Sequence, residues 1–184
     1  MNLTEKTIAS EQIFSGKIIT VKRDTALLPN GEQAFREVVM HPGGVCVAAL
    51  TDKGEVLAVR QFRYPYSEVL LEIPAGKRDK SGEDPLECGK RELKEETGAT
   101  AENYYPLGIL YPSPGYCDEK IYMFAATNLS YGECDPDDDE FLEVEKIPLE
   151  DFVDMILEGK ITDAKTQAAV LKLNALIQKG EIVL

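Results

Sequence analysis

The stretch from Asp84 to Gly98, DPLECGKRELKEETG, constrains this chain more than any other. It reads as a helix with both ends marked. Asp84 can cap the first turn, Pro85 suits the first helical position, and Glu87 stands where it would close a capping box. Gly98 supplies the left-handed residue that stops it, so the helix spans about 85–97. At about 100° per residue, Leu86, Gly89 and Leu93 share one face and should pack on a sheet. Glu92 and Glu96 lie one turn apart with Glu95 beside them, within an arc of roughly 100°. Like charges at that spacing destabilise a lone helix. Arg91 stands four residues before Glu95 and can pair with it. Glu92 and Glu96 then remain as hard oxygen ligands for Mg2+ or Mn2+, or else belong to a solvated acidic face.

The rest of the chain supplies strands for that helix. Residues 17–28 and 32–40 read as a strand pair around Pro29-Asn30-Gly31, since Asn-Gly between two such runs is a strong hairpin signal. His41-Pro42-Gly43-Gly44 breaks the pattern. The apolar run at 45–50 then suits a buried strand. Further strands are expected at 55–64, 69–73, 105–110, 120–125 and 141–147, and helices near 149–158 and 163–178. Thr162 or Asp163 can cap the last helix, and Gly180 sits where it would stop. Strands interleaved with helices imply an α/β or α+β sandwich. The length favours one domain, or one domain with a small appendage, and the division expected is an arm at 1–40 and a domain at 41–184.

Charge and cysteine usage narrow the functions. With 33 acidic against 20 basic residues, the formal charge of −13 argues against a nucleic-acid partner. An anionic substrate would need a cation between itself and the protein, and a divalent metal is the obvious candidate. No apolar run approaches the ~18–20 residues of a membrane span, and the N-terminus lacks the basic and apolar segments of a signal peptide. Cys46, Cys88, Cys117 and Cys134 are scattered without C-x-x-C spacing, which suggests free thiols in a reducing, cytoplasmic compartment.

The helix and the loop before it resemble the Nudix box of the Nudix hydrolases. Arg91, Glu92, Leu93, Glu95, Glu96 and Gly98 match that motif position for position, after Gly76 and Glu83. Two departures stand out. Six residues separate Gly76 from Glu83 where the family usually has five, and the closing aliphatic position holds Ala99. The extra residue precedes the helix and leaves the spacing of the later glutamates intact. The resemblance implies a Nudix α/β/α sandwich with an N-terminal antiparallel strand arm. It also implies Mg2+ (or Mn2+) held by Glu92, Glu95, Glu96 and the carbonyl of Ala75, with Arg91 orienting a box glutamate. The reaction implied is hydrolysis of a nucleoside diphosphate linked to another group.

Outside the box, the chain is similar to the ADP-ribose pyrophosphatase branch of that family. The run EVVMHPGGVCVAAL into QFRYPYSEVLLEIPAGK, the loop YPSPGYCDE and the C-terminal GKITDAKTQAAVLKL carry the likeness. Pro114, sixteen positions beyond Gly98, matches a marker of the branch. The likeness implies ADP-ribose or a related nucleoside-diphosphate sugar as substrate, and a homodimer with residues 17–40 at its interface. Arg63 by preference, and Arg60, are implied as diphosphate ligands. Strand alternation sets the two on opposite faces, so one of them should be a surface arginine. Glu72 resembles a substrate-contacting glutamate or is a strand-edge surface residue. Within Asp135-Pro136-Asp137-Asp138-Asp139-Glu140, Glu140 matches a glutamate that helps place the attacking water, with Asp139 in reserve.

Several residues carry a plainer reading beside the functional one. His41, the one histidine, suits a turn better than a general base. Cys88 should pack, and Tyr64, Tyr66 and Tyr116 can stack on adenine or merely pack. The activity expected is cleavage of ADP-ribose to AMP and ribose 5-phosphate. Its rivals are the same chemistry on ADP-glucose or GDP-mannose, and a non-catalytic nucleotide-binding Nudix sensor.

Overall fold

In the computed structural model, which describes residues 2–78, 82–134 and 141–183, the apolar run after His41 forms the strand around which one unit is built. That strand, β4 (Gly44–Ala49), is buried at every position. Its neighbours are β7 (Ala75–Lys77), antiparallel, and β9 (Ile121–Tyr131), parallel; β8 (Ala99–Leu110) pairs antiparallel with β9. A strand paired on both edges and covered on both faces needs an unbroken apolar sequence, as this one has. Cys46 and Ala48 join a cluster with Phe152 of α2 (Leu149–Leu157) and with Ala169, Val170 and Leu173 of α3 (Ala164–Gln178). Val47 and Ala49 pack instead with Leu93 of α1 (Pro85–Thr97). Helices thus cover both faces of the strand, as in an α/β/α sandwich. A second, wholly antiparallel sheet runs β10 (Leu142–Pro148), β5 (Glu55–Arg63), β6 (Glu68–Glu72).

The chain divides into two compact units, Gly44–Leu110 with Ile121–Leu184, and Met1–Gly43 with Tyr111–Lys120. The latter holds the antiparallel sheet β1 (Lys6–Ser15), β2 (Thr20–Leu27), β3 (Gln33–Met40). β2 and β3 are the expected hairpin, with Gly31 at φ +87° in its turn. β1 was not expected from sequence. Its register shifts fall between Thr7 and Ala9 and between Gln12 and Phe14, at Ile8 and Ile13, and each shift breaks the two-residue period. The loop Tyr111–Lys120 docks on β3: Val39 N–H donates to the Tyr116 carbonyl (2.7 Å) and Asp118 N–H to the Val39 carbonyl (3.0 Å). His41 belongs to this turn. Its backbone N–H donates to Asp118 Oδ1 (2.8 Å) and its Nδ1 accepts from Gly43 N–H (3.1 Å).

Capping and packing explain α1. Asp84 Oδ1 accepts from the N–H groups of Leu86 (2.9 Å) and Glu87 (3.3 Å), and Gly98 at φ +68° closes the helix through its N–H to Lys94. The Glu87 carboxylate, expected to reach back to the cap, pairs instead with Lys90 at 2.7 Å. Gly89 lets the helix settle, because a Cβ there would stand 3.1 and 3.2 Å from the methyls of Val45 and Val47. Leu93 is wholly buried on the same face. Leu93→Ala should therefore cost about 2–5 kcal/mol of stability, read as a lowered urea midpoint with an unchanged slope. A loss under about 1 kcal/mol would mean that α1 is not anchored through this contact.

Candidate active site

Helix α1 buries two carboxylates along with its apolar face. Glu92 is 8% exposed and Glu96 3%, which removes the solvated-face reading for both. Ionised groups this deep must be paired or hydrogen-bonded. Glu96 Oε2 accepts from Ala75 N–H at 3.1 Å. The Glu92 carboxylate lies against Gly76, where a Cβ would come within 1.9 Å of its Cδ. Only glycine leaves room for it.

Arg91 binds the outer side of the cluster. Its Nη1 donates to Glu95 (2.7 Å), its Nε to Glu83 (3.3 Å), and its Nη2 stands 2.8 Å from Glu92. Burial lowers the Arg91 pKa, but the charges and hydrogen bonds of Glu83, Glu92 and Glu95 outweigh that and hold it above its ordinary value. Glu83 is thus drawn to the guanidinium despite the extra loop residue. Cys88 packs beneath, its thiol pushed up to about 12 by burial and by the nearby Glu83, and so remains protonated at neutral pH.

The donor set fits a hard divalent cation: buried carboxylate oxygens beside the backbone of residues 75 and 76. Among the described residues no group of three His, Cys, Asp or Glu side chains is arranged to hold an ion. Arg91 takes Glu92 and Glu95 as placed, so an ion at the predicted ligands needs at least one of them to turn from the guanidinium.

A second ionic cluster joins Arg63 and Glu72, both singled out from the resemblance, to Lys165, which the sequence did not flag. Arg63 grips Glu72 bidentately, Nε and Nη2 each 2.6 Å from a carboxylate oxygen. Glu72 is 1% exposed and is not the surface residue that the alternative reading allowed. It also pairs with Lys165, which stands 3.0 Å from Asp163. The hydrogen bonds to Glu72 hold the Arg63 pKa above its ordinary value against its burial, with a smaller contribution from the charge of Glu96. Arg60 has a different partner, Glu145 of β10, and lines a pocket of about 200 Å³ with residues of β6 and of the segment between α2 and α3. Pro114 lies in the other unit, in a pocket of about 230 Å³ with Tyr111, Cys117 and Asp118. Tyr64, Tyr66 and Tyr116 are all exposed. Glu140 and Asp139 lie outside the described residues.

The NUDIX domain model matches residues 40–170, and that of the Nucleoside diphosphate sugar hydrolase N-terminal domain matches residues 5–39. This chain belongs to the Nudix family. Such hydrolases generally need a divalent metal ion. The ADP-ribose pyrophosphatase of Bacillus subtilis (strain 168) is 46% identical over 171 residues, 92% of each chain. The Methanol dehydrogenase activator of Bacillus methanolicus is 43% identical over 168 residues, 90% of each. A crystal structure of an ADP compounds hydrolase matches 99% of this chain and 100% of its own at a TM-score of 0.85; at 22% identity it shows a shared fold.

Burial raises the Glu72 carboxyl, but the hydrogen bonds from Arg63 and the charge of Lys165 more than offset it, so the group titrates below its ordinary value. A carboxyl depressed by folding stabilises the fold above its unfolded pKa and loses that contribution as pH falls through the folded value. Thermal denaturation of the wild type and Glu72→Gln should therefore show the widest Tm gap near neutral pH. The gap should shrink below about pH 4.3 as the wild-type carboxyl protonates. An unchanged gap down to about pH 3 would mean that ionisation of Glu72 contributes nothing.

Proposed function

We propose that this protein hydrolyses the diphosphate of ADP-ribose, with water adding to phosphorus as the P–O–P bridge breaks, to give AMP and ribose 5-phosphate. The observation that carries this reading is the burial of Glu92 and Glu96 against the backbone of residues 75 and 76. Purely structural carboxylates would gain by staying in water. The name of the Bacillus subtilis relative supports the choice of substrate. Glu92, Glu95, Glu96 and the Ala75 carbonyl would hold Mg2+ or Mn2+, which when bound polarises the diphosphate and acidifies a water molecule. Arg91 fixes the rotamer of a box glutamate, and Arg63, held by Glu72 on its Nε–Nη2 edge, offers Nη1 to the diphosphate. Arg60 is the reserve diphosphate ligand, Pro114 shapes the loop at the sugar nucleotide, and Glu140 places the water.

The protein acts in the cytoplasm as a homodimer, with residues 1–40 as the dimerisation arm of the catalytic domain at 41–184. Every residue of β1 is exposed, and Ile8, Ile13, Phe14 and Phe35 present large apolar surface on one three-stranded sheet. So small a sheet with bare apolar residues calls for a cover, and a second copy supplies one. Light scattering at micromolar concentration should give twice the chain mass for the wild type, and half of that for Ile13→Asp. A monomeric wild type would remove the dimer.

Turnover of ADP-ribose, ADP-glucose, GDP-mannose and a nucleoside triphosphate with Mg2+ tests the reaction. ADP-ribose should lead in kcat/KM by about tenfold, and Glu96→Gln should fall to background while staying folded. A lead for another sugar nucleotide would keep the chemistry and overturn the substrate. Binding without turnover would make the chain a nucleotide sensor.

A further inference from the structure

The exit of β6 is held at four successive residues by four elements. Glu72 takes Lys165 as well as Arg63, and Ile73 N–H donates to Thr166 Oγ1 at 3.0 Å. The Pro74 carbonyl accepts from Val47 N–H at 2.9 Å, and Ala75 N–H donates to Glu96. The first of these ties differs from the rest. Thr166, Val47 and Glu96 hold backbone, whereas Lys165 holds a side chain that already has a bidentate partner.

Helix packing gives no reason for it. Ala169, Val170 and Leu173, all fully buried, anchor α3, and Asp163 caps it through Thr166 N–H at 2.9 Å. Lysine is seldom buried unless paired, yet the Lys165 side chain is only 11% exposed. The chain of charges runs Arg63, Glu72, Lys165, Asp163, in alternating sign. Asp163 sits at a helix N-terminus, whose partial positive charge stabilises it. Arg63 is the open end, 35% exposed against 1% for the Glu72 side chain. Its two bonds to Glu72 use the Nε–Nη2 edge of the fork, and Nη1 lies on the other edge. The four charges sum to zero, and without Lys165 the remaining Arg63, Glu72 and Asp163 would carry a net negative charge that repels an anion. With Lys165 on the same carboxylate, Glu72 is shared between two cations and quenches Arg63 less.

We propose that Lys165 is a positioning residue for diphosphate binding: by sharing Glu72 it leaves Arg63 oriented yet still effectively positive towards the substrate. This rests on the diphosphate-hydrolase reading above, in which Arg63 binds the substrate. Lys165 touches no substrate and acts through Glu72.

The test compares Lys165→Met, Lys165→Arg and the double variant Lys165→Met/Glu72→Gln. Lys165→Met removes the second cation, so KM for ADP-ribose rises on the order of tenfold while kcat changes little, the mark of lost uniform binding. Lys165→Arg keeps KM near the wild type. The double variant recovers part of that loss, because a neutral amide at position 72 no longer quenches Arg63 although it orients it less well; a merely structural lysine would leave the double variant worse than the single. Calorimetric affinity for ADP, which carries the diphosphate, follows the same order and needs no turnover. A wild type that binds ADP without hydrolysing ADP-ribose would sink the hydrolase reading and leave this comparison intact. Unchanged KM and ADP affinity in folded Lys165→Met would overturn the proposal, as would a double variant no better than the single.

Discussion

The contact between the Glu92 carboxylate and the bare backbone of Gly76 governs how α1 can sit. A side chain at 76 would occupy the space that the carboxylate fills, and the helix would have to lift away from β7. Lifting it would also break the bond from Ala75 N–H to Glu96 and part Leu93 from Val47 and Ala49. The same helix therefore closes the core and delivers the carboxylates. Gly89 makes the matching concession on the other side, letting α1 approach β4 within contact of two valine methyls. Two glycines, one on the helix and one on the strand it covers, set the depth at which the glutamates lie.

Burying that much negative charge has a cost that the fold meets locally. Arg91 compensates three glutamates from within the helix and the loop before it, and a backbone N–H serves Glu96. The second cluster solves the same problem with partners from three elements. Arg63 comes from β5, Glu72 from β6, and Lys165 from the first turn of α3. An ion pair buried this way is poor evidence for stability, since apolar residues would often serve as well. It is better evidence for a site that must present charge in a fixed direction.

These two clusters also mark the limit of what the sequence discloses. The first was legible because its geometry is local: caps, helical period and the spacing of Glu92, Glu95 and Glu96 all lie within fifteen residues. The steric reason for Gly76 was not, since it depends on a carboxylate sixteen residues away folding back on it. Glu72 and Lys165 are separated by 93 residues, and no periodicity links them. In the sequence Lys165 is an ordinary lysine two positions after a helix cap. β1 escaped for another reason. Bulges at Ile8 and Ile13 scramble the alternation that betrays a half-buried strand, and its residues are exposed on both faces.

The formal charge of −13 stands at odds with a dianionic substrate until distance is taken into account. At physiological ionic strength the screening length is about 8 Å. Exposed carboxylates beyond that slow the approach of an anion more than they weaken its final binding. Groups within a few ångströms decide affinity, and Arg63, which shares the buried Glu72 carboxylate with Lys165, is the cation proposed to lie there. Acidic surface and cationic contact can therefore coexist in one small protein. Under the proposed reaction Arg63, oriented by Glu72, meets the diphosphate, and Lys165 acts on it only through that shared carboxylate.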